Sequence, residues 1–339
     1  MNTKPRETAP LPTVVNPVER LALLAGADIA AVDTVIHSRM LSEAALIPQV
    51  GQHLVDSGGK RLRPLITLCS ARQFGYSGDM HVKLAAAVEF IHTATLLHDD
   101  VVDESALRRG RAAANVLWGN KPSILVGDFL FSRAFQLMVE TGSPAVLNIL
   151  ANASAIIAEG EVLQLRSAKN LAIDEREYLN VITAKTAALF AAAGEAGAVA
   201  AGAERLQSDA MRDYGHHLGI AFQLVDDALD YSGRQAVMGK AVGDDFREAK
   251  VTLPVILSLS RASEDERRFW RKTIEVGIQE EGDLSRAIEL LERGGALAET
   301  IERARAYARA AREALAVCPE SEIKSAFADV ADFVVERAY

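Results

Sequence analysis

The chain has 339 residues, of which 49% are hydrophobic and 24% charged, a composition typical of a soluble globular protein that excludes a disordered or collagen-like chain. Its net charge of −9 excludes nucleic acid as a partner, because an acidic chain repels a phosphate backbone. Any anion must therefore be bound by a local basic cluster. Two isolated cysteines, Cys69 and Cys318, exclude a disulfide framework or a zinc site. Together with the lack of an apolar signal segment, they predict a cytoplasmic protein.

The hydrophobic pattern is helical along nearly the whole chain. From about Val18 onward, apolar residues recur at three- and four-residue spacing, as at Leu84 and Val88, and alternating stretches of strand type are few. Four of the ten prolines lie within residues 1–17, so the rest of the chain contains few helix breakers. These features predict a flexible N-terminal segment (1–17) followed by a single all-α domain (18–339).

Glycine-containing turns mark the expected helix boundaries, and the predicted loops lie at residues 57–59, 76–78, 118–120, 141–144, 232–233 and 238–239. Ser143 followed by Pro144 is typical of a helix start, because serine caps the helix and proline suits the first helical position. The Ala-rich run 187–203 comes nearest to a membrane span, but it is only 17 residues long and contains Glu195. We expect it to be a tightly packed buried helix.

Two aspartate clusters share the spacing D-D-x-x-D, at 98–103 (HDDVVD) and 225–230 (VDDALD), each within an apolar helical window. On a helix the first and last carboxylates of such a cluster lie on one face, with their Cβ atoms about 5–6 Å apart. They repel each other unless a cation neutralises them, and Mg²⁺ prefers such oxygen ligands together with substrate phosphate. A solvated acidic face would explain one cluster, but two identical clusters in apolar surroundings indicate metal binding.

Two basic clusters supply the opposite charge. Lys60, Arg61 and Arg63 follow a Gly-Gly pair, and residues 108–111 (RRGR) follow the first aspartate cluster. Glycines let backbone N–H groups approach an anion, and the arginine fork matches phosphate oxygens. Because these clusters accompany the metal-binding spacing, we expect a metal-bridged diphosphate rather than a phosphate monoester to bind here.

The motifs around these clusters resemble those of the trans-polyprenyl diphosphate synthases. In order they are GGKRLRP (58–64), FIHTATLLHDDVVDESALRRG (90–110), VGD (126–128), AEGEVLQL (158–165), KTA (185–187), FQLVDDALDY (222–231) and GKAVGDD (239–245). The resemblance runs from about residue 40 to the C-terminus and is strongest to the long-chain bacterial octaprenyl, solanesyl and decaprenyl diphosphate synthases, which make the side chain of ubiquinone. It implies an all-α, isoprenoid-synthase-type bundle of roughly ten or more helices around a central substrate cavity, and a homodimer.

The resemblance also implies a Mg²⁺-dependent prenyltransferase that adds isopentenyl diphosphate units to an allylic diphosphate primer such as farnesyl diphosphate. The residues implied to hold several Mg²⁺ ions are Asp99, Asp103, Asp226, Asp227 and Asp230. Those implied to bind the allylic diphosphate are Arg108, Lys185, Thr186, Gln223 and Lys240. Those implied to bind isopentenyl diphosphate are Lys60, Arg63, His92 and Arg109. Catalysis would rest on Asp99, Asp103, Asp226 and Lys185.

Other positions bear on substrate binding and product length. A lone histidine on an apolar helix is more often a core residue, but His92 lies two helical turns before Asp99 on almost the same face, which favours a position lining the cavity. The family's short-chain members place bulky aromatic residues where this chain has Ala94 and Thr95. Because both residues are small, we expect an open tunnel and a long all-trans product. We also expect brief membrane association when that product is released. The number of isoprene units stays open.

One departure from the family pattern concerns Lys250. The family usually has glycine and proline where this chain has Ala249 and Val251, on either side of that lysine. The resemblance therefore leaves the role of Lys250 open.

Three other functions share part of this pattern. A class I terpene cyclase also ionises a diphosphate with aspartates, but it has no second diphosphate for the basic clusters to hold. A non-catalytic subunit of a heteromeric synthase usually loses an aspartate cluster, and this chain keeps both. A metal-dependent phosphohydrolase would need a water-activating base among its metal ligands, and the motifs identify none.

Overall fold

The computed structural model describes residues 15–56, 59, 61–108, 110–232 and 242–337. Most of the segment predicted to be flexible (1–17) lies outside these residues, as do three predicted site residues, Lys60, Arg109 and Lys240. The roles of those three side chains therefore stay predictions.

The described chain is almost entirely helical, which confirms the all-α prediction. The helices are α1 (Pro17–Ala25), α2 (Ala27–Met40), α3 (Leu46–Asp56), α4 (Leu62–Gln73), α5 (Met80–Val102), α6 (Ala114–Trp118), α7 (Asn120–Glu140), α8 (Pro144–Ser167), α9 (Glu175–Ile182), α10 (Ala188–Ala200), α11 (Arg205–Asp230), α12 (Asp244–Arg247), α13 (Leu253–Arg261), α14 (Glu264–Trp270), α15 (Asp283–Arg293), α16 (Ala296–Ala314) and α17 (Glu322–Glu336). Two π-helical turns, Thr183–Ala187 and Arg271–Glu275, and a 3₁₀ turn, Leu315–Val317, extend this set.

Local sequence rules account for several helix boundaries. Ser143 caps α8 through a hydrogen bond from the Val146 backbone N–H, and Pro144 occupies the first helical position, as predicted. A single glycine, Gly119, separates α6 from α7 with φ of 90°, a left-handed conformation that residues with a Cβ avoid.

Two short strands, β1 (Leu107–Arg108) and β2 (Arg111–Ala112), pair antiparallel just after α5. These strands could not be predicted from the hydrophobic pattern, because two residues are too few to establish a period.

The core is built around α10, which packs against α4, α8 and α11. Its small residues allow this close approach: a Cβ on Gly194 would lie 2.3 Å from the Met211 carbonyl oxygen, and one on Gly197 would lie 2.4 Å from the Thr67 carbonyl oxygen. Most of α10 is buried, which confirms the expectation for the Ala-rich run 187–203. Helix α10 thus connects α11 to α4 and α8, and α4 in turn packs against α5.

Among the described residues, α8 is one helix that is long and apolar enough to cross a membrane. The bent pair α1 and α2, which meet at 81°, passes the same test when counted together. Such helices are weak signs of a span, since core helices of globular proteins also meet the criteria. Only 28% of the apolar window of α8 is buried within the chain.

Candidate active site

The two helices that carry the aspartate clusters end at a common cavity of about 350 Å³. Asp103 lines it from the end of α5, Gln223 and Asp227 line it from α11, and Lys185 and Thr186 line it from the π-helical turn before α10. Apolar side chains complete much of the wall, namely Val102, Leu165, Ile173, Val181, Ile182 and Val251. The fold therefore gathers five of the predicted site residues around one space.

In the first cluster, the outer aspartates are each paired with a lysine. Lys185 Nζ lies 3.2 Å from an Asp99 carboxylate oxygen, and Lys250 Nζ lies 2.9 Å from an Asp103 carboxylate oxygen. Burial alone would lower the pKa of both lysines, but the surrounding carboxylates outweigh it and raise both values. Both lysines therefore stay charged beside this cluster.

The middle aspartate of the first cluster has a different role. Asp100 is fully buried, and Arg108 donates to it from Nε at 2.7 Å and lies within 2.6 Å through Nη2. Burial raises the pKa of Asp100, and Arg108 opposes that rise. Both nitrogens contact the same carboxylate oxygen, Asp100 Oδ1, and this ion pair fixes the arginine where β1 leaves the end of α5.

In the second cluster, Asp226 is paired with Arg337 just beyond α17. Arg337 Nη2 donates to Asp226 at 2.7 Å and to the Phe222 carbonyl oxygen at 3.0 Å, and its guanidinium carbon lies 4.2 Å from the centre of the Phe222 ring. The C-terminal helix thus reaches a candidate metal ligand 111 residues earlier in the chain.

The other two aspartates of the second cluster accept hydrogen bonds within the protein. Asp227 accepts from the Tyr178 hydroxyl and, at 2.7 Å, from Gln223 Nε2, while burial raises its pKa to about 7. Asp230 accepts from the backbone N–H groups of Asp244 and Asp245 at 3.2 and 3.0 Å. Burial raises the pKa of Asp230 to about 6 although these N–H groups oppose the rise.

A polar chain connects the second cluster to the π-helical turn. The Thr186 hydroxyl donates to Gln223 Oε1 at 2.8 Å, and the amide of Gln223 donates onward to Asp227. Three residues predicted from the family resemblance are therefore connected by hydrogen bonds, although Thr186 lies in a different helical segment from Gln223 and Asp227.

Glu161 of α8 completes the surroundings of Lys185. Its Oε2 atom lies 2.8 Å from Lys185 Nζ, so the ammonium lies between Glu161 and Asp99. Its neighbour Gly160 packs so closely on the π-helical turn that a Cβ there would lie 2.8 Å from the Ala184 Cβ.

A second, narrower hollow of about 40 Å³ is lined by α5 residues in the range 89–96, before the first aspartate cluster. His92 lines it together with Gly59, Arg61 and Arg108. Arg63 adjoins it, with Nη1 3.3 Å from His92 Nε2. The described part of the predicted isopentenyl diphosphate set is thus clustered, and Arg108, predicted to bind the allylic diphosphate, lines the same hollow.

The two positions predicted to set product length differ in their surroundings. Ala94 is fully buried, whereas Thr95 is half-buried and its hydroxyl donates to the His92 carbonyl oxygen at 2.7 Å. At 100° per residue, Thr95 lies about 40° around α5 from Asp99, and Ala94 about 140°. Neither lines the two cavities described above, so their effect on length stays a prediction.

The carboxylates suit a hard divalent cation by their chemistry. Within the described ranges, no group of three or more His, Cys, Asp or Glu side chains is arranged to hold a metal ion. However, Asp99, Asp103 and Asp226 each hold one cationic side chain, so each site already stabilises positive charge. Carboxylates in such positions could exchange these cations for Mg²⁺ once a diphosphate arrives to take the lysines.

Four residues near the cavity had no role in the sequence analysis: Glu161, Tyr178, Asp245 and Arg337. Glu161 and Asp245 lie within two of the motifs that resemble the family, at 158–165 and 239–245, so these motifs are a sequence signal from which both could be predicted as site residues. Tyr178 and Arg337 carry no local signal, because their partners are 49 and 111 residues away.

The departure at Ala249 has a structural consequence. Ala249 is buried and has a φ of 54°, in the left-handed region that favours glycine. The residue after it, Lys250, still reaches Asp103 and, at 2.5 Å, Glu248. Replacing the family's usual glycine with alanine therefore leaves this lysine directed at the first aspartate cluster.

Comparison with known proteins gives consistent matches. Residues 44–291 match the sequence profile of the family described as polyprenyl synthetase. The octaprenyl diphosphate synthase of Haemophilus influenzae is 43% identical over 95% of this chain and 98% of its own length. The all-trans-nonaprenyl-diphosphate synthase of Rhodobacter capsulatus, described as geranyl-diphosphate specific, is 40% identical over 91% of this chain and 95% of its own length.

Two solved structures are similar in fold as well as in sequence. A polyprenyl synthase from Caulobacter crescentus, crystallised with calcium and isoprenyl diphosphate, is 54% identical with a TM-score of 0.93 and covers 97% of this chain and 100% of its own. A decaprenyl diphosphate synthase from Rhodobacter capsulatus is 55% identical with a TM-score of 0.90 and covers 95% of this chain and 100% of its own.

Proposed function

Since this chain belongs to the polyprenyl synthetase family, we propose that it is a Mg²⁺-dependent trans-prenyltransferase that extends an allylic diphosphate by successive isopentenyl diphosphate units. The product would be a long-chain all-trans polyprenyl diphosphate, the precursor of a ubiquinone side chain. Relatives named octaprenyl, nonaprenyl and decaprenyl diphosphate synthases support a long product, and their different names leave its length open.

One observation carries this proposal: Asp99, Asp103 and Asp226 are each paired with a cationic side chain, and the two clusters reach one cavity through Asp103 and Asp227. Two of these cations, Lys185 and Lys250, line that cavity. Carboxylates suited to metal and ammonium groups suited to phosphate oxygens are therefore in direct contact. A diphosphate with its metal ions can satisfy both sets at once, since each lysine exchanges a carboxylate for a phosphate oxygen.

The first chemical step is ionisation of the allylic C–O bond, which needs stabilisation of the negative charge that builds on the departing diphosphate. Lys185, Lys250 and the Thr186 hydroxyl line the cavity where that charge would develop. Asp99, Asp103 and Asp226 would hold Mg²⁺, with Asp227 and Asp230 in support, and bound Mg²⁺ would supply Lewis-acid stabilisation of the same charge. Because these groups are preorganised, little reorganisation is required when the bond breaks.

The second step joins the allylic cation to isopentenyl diphosphate. His92 and Arg63, with Lys60 and Arg109, would hold its diphosphate near the narrow hollow beside α5. Its double bond attacks the cation, a new C–C bond forms, and loss of a proton gives a product longer by one five-carbon unit. The departed diphosphate is the base we favour.

Water must be excluded while the cation exists, since hydration would give an alcohol. Apolar side chains of Val102, Ile173 and Val251 line the cavity and serve this purpose. The same observation argues against a phosphohydrolase, which has to admit water to the phosphate.

We further propose a homodimer formed through α7 and α8. Both helices expose large apolar side chains, namely Ile124, Leu125, Phe135, Val139, Ile156, Val162 and Leu163. A second copy of the chain would cover this surface and account for the low burial of α8. Light scattering tests the dimer directly.

We assign the protein to the cytoplasm, where its two free, buried cysteines would remain reduced. A long polyprenyl diphosphate has a large apolar tail, so its release would occur at a membrane surface with brief association.

The experiment that tests the function is incubation with farnesyl diphosphate, radiolabelled isopentenyl diphosphate and Mg²⁺, followed by chromatographic sizing of the dephosphorylated product. We expect a ladder of chains ending in a long product. A cyclic hydrocarbon would indicate a cyclase, farnesol already present before the dephosphorylation step, with no elongation, would indicate a phosphohydrolase, and no reaction would indicate a non-catalytic subunit.

A further inference from the structure

We infer that Glu161 is a positioning residue, which holds the ammonium of Lys185 at the diphosphate position through direct contact from α8. This inference deepens the proposed function and rests on it. Lys185 lines the cavity, and Glu161 of α8 contacts this lysine, with Oε2 2.8 Å from Lys185 Nζ.

The backbone around Lys185 needs external support. It lies in a π-helical turn, Thr183–Ala187, inserted between α9 and α10. A π-helical turn is rare compared with continued α-helix and is frequent at functional sites. Here the turn places Lys185 and Thr186 side by side on the cavity wall.

Helix α8 provides that support at two successive residues. Gly160 lets the helix approach so closely that a Cβ there would lie 3.1 Å from the Lys185 backbone nitrogen, as well as 2.8 Å from the Ala184 side chain. The next residue, Glu161, then contacts the Lys185 ammonium. Backbone and side chain of the lysine are thus both held by the same turn of α8.

Glu161 differs from the other carboxylate partner of Lys185. Asp99 belongs to the D-D-x-x-D cluster assigned to the metal, so it must exchange the lysine for Mg²⁺ when substrate binds. Glu161 lies outside both clusters, on a different helix, and its side chain is 23% exposed. It can therefore keep the ammonium in place throughout the exchange, at the moment when the lysine binds the allylic diphosphate.

The test compares E161Q, which keeps the shape of the side chain but removes its charge, with E159Q as a matched control on the same helix. Glu159 is exposed to solvent in the same motif. The KM values for farnesyl diphosphate and isopentenyl diphosphate are measured separately, with a thermal melt for each variant. We expect E161Q to raise the KM for farnesyl diphosphate about five- to thirtyfold. The KM for isopentenyl diphosphate should change less than about twofold, and E159Q should leave both values as they are.

A double-mutant cycle separates positioning from a general structural effect. If Glu161 acts through Lys185, adding E161Q to K185A should cause no further rise in the KM for farnesyl diphosphate. If the two substitutions raise the KM for farnesyl diphosphate by factors that multiply in the double variant, the inference is wrong. It is also wrong if E161Q raises both KM values equally or behaves like the wild type. If E161Q melts far below the wild type, E161D, which keeps the charge but shortens its reach, is measured by the same criteria. Failure of the wild type to elongate would instead count against the proposed function.

Discussion

Arg337, at the end of the last helix, donates a hydrogen bond to Asp226 in the second aspartate cluster at 2.7 Å. Both side chains are partly exposed, at 22% and 33%. The pair is one of three in which a candidate metal ligand holds a protein cation. Metal binding at Asp226 must therefore compete with the guanidinium of Arg337.

This competition predicts that Arg337→Gln lowers the Mg²⁺ concentration needed for half-maximal activity. A partly exposed ion pair contributes roughly 0.2–1 kcal/mol, so the expected decrease is at most about fivefold. The measurement is an activity titration with Mg²⁺ at saturating substrates. Arg312→Gln is the control, because Arg312 of α16 forms an ion pair with Asp332 of α17, and Asp332 belongs to neither aspartate cluster. An unchanged or increased Mg²⁺ requirement would show that Arg337 does not compete with the metal.

The left-handed conformation of Ala249 makes a second prediction, about stability. Ala249→Gly should change the free energy of unfolding by less than about 1 kcal/mol, because relief of a left-handed alanine (about 1–2 kcal/mol) is offset by greater chain entropy and one lost buried methyl group. Ala249→Val should destabilise by about 1–3 kcal/mol more, since a β-branched residue tolerates this conformation poorly. Urea unfolding measures both. Ala262→Val is the control, because φ at Ala262 is −67°, and it should change the free energy of unfolding little. Equal losses of stability from Ala249→Val and Ala262→Val would show that the left-handed conformation of Ala249 is not the cause.

The two cavities predict a division of labour between the basic residues. Lys185→Ala should mainly raise the KM for the allylic primer, because Lys185 lines the cavity at the aspartate clusters. Arg63→Ala should mainly raise the KM for isopentenyl diphosphate, because Arg63 contacts His92 beside the other hollow. Steady-state kinetics with each substrate varied in turn checks this. The proposed division of roles would be contradicted if each variant raised the KM values for both substrates equally.

Product length should respond to bulk at the small residues before the first cluster. Thr95→Phe and Ala94→Phe should stay active but release products of roughly C15 to C20, because an aromatic ring would block the growing tail rather than the chemistry. The loss of stability should be larger for Ala94→Phe, since Ala94 is fully buried and Thr95 is half-buried. Chromatography of the dephosphorylated products gives the length, with Thr95→Ser as the small control. Long products from both folded variants would place length control elsewhere, at Ile91, Val88 or Ala87.

Much of the fold could be predicted because its signals are local. The helix start at Ser143 and Pro144 and the burial of the Ala-rich α10 follow from capping rules and residue size. The D-D-x-x-D spacing likewise predicts Asp99 and Asp103 as candidate metal ligands from the sequence alone. These features depend on residues within one or two helical turns of each other.

The remaining features depend on contacts between distant parts of the chain. The π-helical turn that carries Lys185 is packed against Gly160 of another helix, which no periodicity in residues 183–187 reveals. The hydroxyl of Tyr178 bonds to Asp227 only because α9 and α11 are neighbours in the fold. The long apolar face of α8 was also missed, because apolar residues all around a helix look the same in sequence whether they face the core or another surface.

Catalysis is expected to require divalent metal held by both aspartate clusters. The most direct measurement is the rate of isopentenyl diphosphate incorporation by Asp99→Ala and Asp226→Ala across a Mg²⁺ titration, with Asp79→Ala, an exposed residue at the opposite end of α5, as the control. We expect each cluster variant to lose at least about 100-fold in turnover while remaining folded, the control to stay near the wild type, and excess EDTA to abolish the wild-type reaction. Near-normal turnover in either cluster variant, or full wild-type activity in EDTA, would contradict the account.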